Sequence, residues 1–292
     1  MDKLIVSVAT TGSPGTKAQN PALPLTEEEI AADAVRCWNL GAAIVHVHVR
    51  DDQGLVTCNP ARYARVRDLI RERAPDCDII VNMSTGGGAG RTTDDERRAP
   101  VRLGLEIASF DAGSVNFGAR VFVNSPQFLE QLARDMLTYG VKPEIECFDS
   151  GFIETARRLI DAGLLRPPHW FQFVLGIQGG APATVKQLLH MVEQLPPDSR
   201  WSVCAIGRQQ LPMNVAALVM GGHARTGLED NHYLARGVKA TNAQLVERLV
   251  RLGREVGREI APPAEARAML GLPTGRAQAT NREWAGSVEA SG

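Results

Sequence analysis

Eight short apolar runs, each followed by a longer segment of mixed polarity, succeed one another along the sequence, and this alternation constrains the fold more than any other feature. The runs fall at 4–9, 43–49, 78–82, 106–109 (with a second piece near 114–117), 144–147, 170–175, 201–204 and 222–225. Runs rich in valine and isoleucine, each leading into a helical pattern, imply parallel strands covered on their outer face. Eight such units within about 260 residues suit a closed (β/α)8 TIM barrel better than an open doubly wound sheet. No GxGxxG or GxxxxGK[ST] follows the first run, which argues against a Rossmann or P-loop nucleotide site.

Three of the intervening helices carry boundary signals. Thr26 and Glu29 form a capping-box pattern, in which hydroxyl and carboxylate each satisfy a free backbone N–H. Ile30, Ala34 and Trp38 follow at four-residue spacing, and Gly41 supplies the stop. Ser125-Pro126 opens a second helix with proline at its first position, Leu129, Leu132, Met136 and Tyr139 form its apolar stripe, and Gly140 ends it. A third is predicted over 242–259, with Leu245, Leu249, Leu252 and Val256 on one face. The predicted organisation is one barrel domain over 1–272 and a loosely ordered C-terminal tail over 273–292, whose only large apolar group is Trp284.

Composition matters mainly for what it excludes. The formal net charge is −1 with no basic excess, so nucleic acid and anionic membrane surfaces are not expected partners. No apolar stretch reaches about 18 residues, and no basic region precedes an apolar run at the N-terminus, so a cytosolic protein is expected. Cys37, Cys58, Cys77, Cys147 and Cys204 are dispersed without a CxxC pair, which argues against a disulfide framework, a thiolate zinc site or a catalytic thiol.

The strongest local signal is Ile44-Val45-His46-Val47-His48-Val49-Arg50-Asp51. Strand side chains alternate, so the valines suit the helix-facing side and both imidazoles point into the barrel, late in the strand. Two neutral imidazoles so spaced can share a divalent cation; the plainer alternative is a pair of hydrogen-bonded core histidines. A third ligand is available from Gly221-Gly222-His223-Ala224-Arg225-Thr226-Gly227-Leu228-Glu229-Asp230-Asn231, just after the eighth run. Glu229 and Asp230 are adjacent, so their side chains diverge: one can bind metal while the other handles a proton. The alternative is a solvated charged loop. Ser84-Thr85-Gly86-Gly87-Gly88 follows the third run, where glycine lets backbone N–H groups approach a phosphate, a carboxylate or a developing enolate. Glu144 and Glu146 lie on one strand face and, if buried, need a cation, a hydrogen bond or a proton; orienting Arg225 and forming a structural ion pair are both open. His169, His190, His223 and His232 are read as structural.

Together these segments resemble the β-keto acid cleavage enzymes, from about residue 4 to 272. The resemblance also rests on Thr10-Thr11-Gly12 with Gln19-Asn20-Pro21, on Gly113-Ser114-Val115-Asn116-Phe117-Gly118, on Val123-Asn124-Ser125-Pro126, on Phe171-Gln172-Phe173-Val174-Leu175-Gly176 and on Gly179-Gly180-Ala181-Pro182-Ala183-Thr184. It implies a zinc-dependent barrel, homotetrameric, that converts a β-keto acid plus acetyl-CoA into acetoacetate plus a new acyl-CoA. In that reading His46, His48 and Glu229 hold zinc, Asp230 is the base, and Arg225, supported by Glu146, polarises it. Ser84, Gly87 and Ser109 hold the substrate carboxylate or keto oxygen.

Two departures from the family pattern bear on substrate choice. Members acting on an amino-bearing substrate carry an acid in the first β–α loop, which here reads Thr11-Gly12-Ser13-Pro14-Gly15. Weak or no activity on an amino-bearing β-keto acid is expected. A neutral or apolar tail fits better, or an anionic one if a basic side chain comes from elsewhere. Ser109 stands where threonine is common and keeps the hydroxyl. The competing readings are another metal barrel (class II aldolase-like, or a hydrolase), which would ignore acetyl-CoA, and a non-catalytic ligand-binding barrel, which would lack a bound divalent ion.

Overall fold

The computed structural model describes residues 2–13, 15–88 and 91–273. Eight parallel strands close into a barrel in chain order: β1 (Val6–Ala9), β2 (Ile44–Val47), β3 (Ile80–Met83), β4 (Ile107–Asp111), β5 (Lys142–Cys147), β6 (His169–Leu175), β7 (Ser199–Ala205) and β8 (His223–Thr226). Closure is direct: Ser7 of β1 stands opposite Ile44 of β2 on one side and Arg225 of β8 on the other. The helices lie between the strands: α1 (Glu27–Asn39), α2 (Pro60–Arg73), α3 (Asp94–Arg98), α4 (Pro126–Tyr139), α5 (Ser150–Asp161), α6 (Val185–Val192), α7 (Gln210–Val219) and α8 (Asn242–Glu255). A last helix, α9 (Pro263–Leu270), follows them.

The capping signals act where the sequence puts them. Thr26 accepts from the Glu29 N–H while Glu29 accepts from the Thr26 N–H, and α1 buries Ile30, Ala34 and Cys37. Ser125 caps α4, which buries Phe128, Leu129, Leu132 and Met136 before Gly140 turns left-handed at φ 67°. Three expectations need correction. The segment 114–117 is not a continuation of the fourth strand: β4 ends at Asp111, and Val115–Phe117 pairs antiparallel with Arg120–Phe122 in a separate hairpin. The second strand ends at Val47, so His48 sits between it and a short hairpin of Val49–Arg50 with Val56–Thr57. Helix α8 stops at Glu255 rather than 259, because Gly257 adopts φ 77° and Arg258 folds back to donate to the Asp2 and Leu218 carbonyls. Of the predicted tail, 274–292 lies outside the described residues, as does Pro14 of the first loop.

The barrel floor is apolar. Ile5, Ile44, Ile80, Ile107 and Trp170 point inward and pack with Ala261, Ala266, Leu270 and Leu272, so that α9 closes the N-terminal end. Each such side chain contributes about 1.5–3 kcal/mol by leaving water. His223 belongs here: its Nδ1 accepts the Ile5 N–H at 3.0 Å, and burial lowers its pKa to about 3, so the ring is a neutral acceptor. All five cysteines are buried, and burial raises the thiols of Cys37, Cys58, Cys147 and Cys204.

Candidate active site

Above that floor the inward side chains become polar. Alternation along β2 sends Val45 and Val47 into the core under the helices and brings the imidazoles of His46 and His48 inside, ring centroids 5.2 Å apart. From the far end of the chain, the loop after β8 returns over the first strand. Gly227 makes this possible: at φ +138° it lies so close to β1 that a Cβ there would stand 2.1 Å from the Ala9 carbonyl oxygen. The Glu229 N–H then donates to the Ala9 carbonyl at 3.2 Å, and Asn242 of α8 pins the loop by accepting from the Leu228 N–H while donating to the Thr10 carbonyl and Asp33.

This brings Glu229 Oε1 to 3.7 Å from His46 Nε2 and 3.5 Å from His48 Nε2. Two ligand atoms each bound about 2.0–2.2 Å from one tetrahedral ion lie roughly 3.3–3.6 Å apart, so the spacing fits a shared divalent cation. Glu229 Oε2 is buried without a hydrogen-bond partner, a further sign that the carboxylate faces something other than protein. Burial alone would raise Glu229, but Arg225, His46 and His48 beside it hold the carboxyl well below the usual range. His46 is driven down to about 3, chiefly by burial, and so presents a neutral nitrogen. A second triple, His46, Glu144 and Glu146, also clusters closely enough for a cation. There both carboxyls are otherwise engaged. Glu144 accepts from Trp170 Nε1 at 3.0 Å and Asn82 Nδ2 at 2.6 Å, and lies 4.0 Å below His46 Nδ1.

Arg225 is the organising cation. Its Nε and Nη2 donate to the two oxygens of Asp230 at 3.0 and 2.9 Å, Nη2 also to Glu229 at 2.7 Å, and Nη1 to Glu146 at 3.1 Å. The two neighbouring acids do diverge: Glu229 faces the histidines, and Asp230 stays flat against the guanidinium. Burial raises the Asp230 carboxyl, with Arg225 opposing. Glu146 is raised well above its usual value, first by burial and then by the charge of Asp111 opposite it.

The glycine-rich loop after β3 borders the same space. A Cβ on Gly86 would stand 3.3 Å from Ser84 Oγ and 3.9 Å from His48 Cε1, so Ser84 and His48 share that neighbourhood. Ser84 Oγ accepts from the Gly86 N–H, which leaves its own proton to donate. Ser109 Oγ accepts from the Thr85 N–H at 2.9 Å and lies 3.3 Å from Thr85 Oγ1, whose own proton goes to the Ser109 carbonyl. The Gly87 N–H finds no acceptor among the described residues.

Several residues of this region escape a reading of the sequence. Asp111 lies two positions beyond Ser109 on the same strand face, opposite Glu146, and became visible only once β4 extended past 109. Arg97 is buried, donates to the Thr85 and Val123 carbonyls and to Asn124, and lies over Phe122 and Phe128 at 4.8 and 4.1 Å, tying the hairpin 115–122 to the rim. Arg50 donates to the Gly12 and Gly15 carbonyls, holding the first β–α loop from beneath.

A family model described as beta-keto acid cleavage enzyme matches residues 3–272. The 3-keto-5-aminohexanoate cleavage enzyme of Fusobacterium nucleatum is 45% identical over 274 residues, spanning 93% of this chain and 99% of that one. The 3-oxoadipate:acetyl-CoA acetyltransferase of Cupriavidus necator is 43% identical over 276 residues, spanning 92% and 95%. Among solved structures, the ternary complex of ObcA with a C4-CoA adduct and oxalate superposes with a TM-score of 0.78 at 24% identity, over 86% of this chain and 68% of that one, a likeness of fold.

Proposed function

The chain belongs to the beta-keto acid cleavage enzyme family, and from that premise we propose that it converts a β-keto acid and acetyl-CoA into acetoacetate and a new acyl-CoA. The observation that carries the reading is the convergence of His46, His48 and Glu229 beside an aspartate, Asp230, held flat by Arg225. A zinc ion held by the first three would supply Lewis-acid chemistry, drawing charge from the substrate's keto and carboxylate oxygens.

The chain's own groups do the rest. Asp230 takes the proton from the carbon between ketone and carboxylate, its lone pairs aimed by the two Arg225 hydrogen bonds. The Ser84 and Ser109 hydroxyls and the Gly87 N–H offer donors to the substrate oxygens. The carbanion attacks the acetyl carbonyl and releases CoA thiolate, which adds to the former keto carbon. The old carbon–carbon bond then breaks, leaving the acyl group on sulfur, and Asp230 returns its proton to give acetoacetate. Glu146 accepts from Arg225 Nη1 at 3.1 Å and steadies the guanidinium from the side away from Asp230 and Glu229.

The substrate tail is proposed to be neutral, apolar or anionic. The described part of the first loop, Thr11-Gly12-Ser13 and Gly15, offers no carboxylate to an ammonium, and Arg50 reaches its carbonyls from below. Identities of 45% to the relative named for an amino substrate and 43% to the one named for 3-oxoadipate do not rank these tails, and the proposal leans on the loop instead. Assembly as a homotetramer belongs to the proposal, supported by the exposed stripe Leu211, Val215 and Val219 along α7. So does a cytoplasmic setting, where acetyl-CoA is found.

A panel of β-keto acids with acetyl-CoA, scored by acetoacetate, tests the reading. Turnover that proceeds equally without acetyl-CoA would move the chain to the aldolase-like or hydrolase class, and a preference for the amino-bearing acid would overturn the tail assignment.

A further inference from the structure

A cavity of about 580 Å³ opens on the C-terminal rim between the β6–α6 and β7–α7 loops, walled by Gly176, Gln178, Gly179, Ala183, Ile206 and Arg208 among others. It adjoins the proposed base. Between Ile206 and Arg208, the Gly207 N–H donates to the backbone carbonyl of Asp230 at 2.7 Å. The groups assigned to the keto acid, Ser84, Gly87 and Ser109, come from β4 and the end of β3, across the ring from β6 and β7. The cavity wall is thus tied through Gly207 to the backbone of Asp230, on the side of the ring away from those groups.

The chemistry of this wall is that of a donor surface. Among the described residues Arg208 is the only ionisable side chain lining the cavity, and it has no carboxylate or hydrogen-bond partner there. The backbone N–H groups of Gln178 and Gly179 likewise find no acceptor there. The loop that presents them is fixed rather than adaptable. Gly179, at φ +99°, packs so tightly on the hairpin that a Cβ would stand 2.2 Å from the Asn116 carbonyl oxygen, and the Ala181 N–H donates to the Phe148 carbonyl at 2.7 Å. A preset concavity with free N–H groups and one cation suits a ligand rich in carbonyl and phosphate oxygens.

We propose that this cavity is the acyl-CoA subsite, in which the pantetheine arm runs between the two loops toward Asp230 and Arg208 holds the CoA phosphates. The proposal rests on the transferase reading above and adds to it the route by which the thioester arrives.

The test uses the intact protein, its preferred β-keto acid, and two thioesters: acetyl-CoA and S-acetylpantetheine, which lacks phosphates. Arg208→Ala should raise KM for acetyl-CoA about 10- to 100-fold, the range for a hydrogen bond to a charged group, with kcat and the keto-acid KM unchanged. The same variant should equal wild type with S-acetylpantetheine. Ala183→Trp, which fills the cavity, should raise KM for both thioesters. Unchanged acetyl-CoA kinetics in Arg208→Ala, or an equal defect with S-acetylpantetheine, would overturn the phosphate assignment; unchanged kinetics in Ala183→Trp would overturn the route. If wild type makes no acetoacetate at all, the transferase reading falls. The subsite is then judged by equilibrium binding of CoA itself, which Arg208→Ala must weaken.

Discussion

At the N-terminal end of the barrel, Ile5, Ile44, Ile80, Ile107 and Trp170 meet α9 in a layer of hydrocarbon, whereas at the C-terminal end Arg225 is shared by Glu146, Glu229 and Asp230 with His46 and His48 alongside. Both ends are largely shielded from water, yet they are held differently. The floor is a sum of small, non-directional gains, so its members are replaceable one at a time. The rim is a set of charges each tolerated only because its neighbours are present, so removing one exposes the rest as uncompensated. The difference teaches that burial says little about role: side chains withdrawn from water are a hydrocarbon layer below and a charge network above.

The largest expected effect sharpens that contrast. Asp230→Asn should lower kcat roughly 10²- to 10⁴-fold while bound metal holds, and the melting temperature should fall because buried Arg225 loses the charge of its bidentate partner; a variant with wild-type turnover would remove Asp230 as the base. Next is the mirror experiment on the floor. Leu270→Ala should cost about 2–5 kcal/mol in urea unfolding and leave kcat of the folded enzyme within about twofold; a change in bound metal would mean that the two ends are not separable. Glu144 lies between them, under His46 and fastened by Trp170 and Asn82. Glu144→Gln, which removes a buried carboxylate 4.0 Å from His46 Nδ1, should weaken metal affinity modestly, as read by chelator competition; unchanged affinity would leave Glu144 to the floor.

The smallest effect is in pH. His223 has its folded pKa lowered to about 3 from 6.5, so between those values the unfolded chain binds the extra proton. Stability from this residue is present above about pH 6.5 and is lost as pH falls toward 3. Urea midpoints measured from pH 7 to 4 should fall, and less steeply in His223→Gln; equal slopes would sink the assignment.

What could be read from the sequence follows the same division. Valines at 45, 47 and 49 settle which face of the second strand looks outward, so the direction of His46 and His48 was legible before any coordinates, as were helix ends marked by Thr26, Ser125 and Gly140. Asp111 was not, because nothing in the sequence marks the end of β4, and an acid past the expected end reads as loop. Arg97 and Arg50 were missed for a related reason. Arginine is ordinarily exposed, and only the fold reveals that these two spend their donors on backbone carbonyls around the mouth.

Ring closure carries one more consequence. Glu229 takes its place by donating its N–H to Ala9, and β8 completes the barrel only by pairing with β1. A polypeptide emerging from the ribosome therefore cannot bring Glu229 beside His46 and His48 until its eighth strand has been made and has found its first, some two hundred residues later.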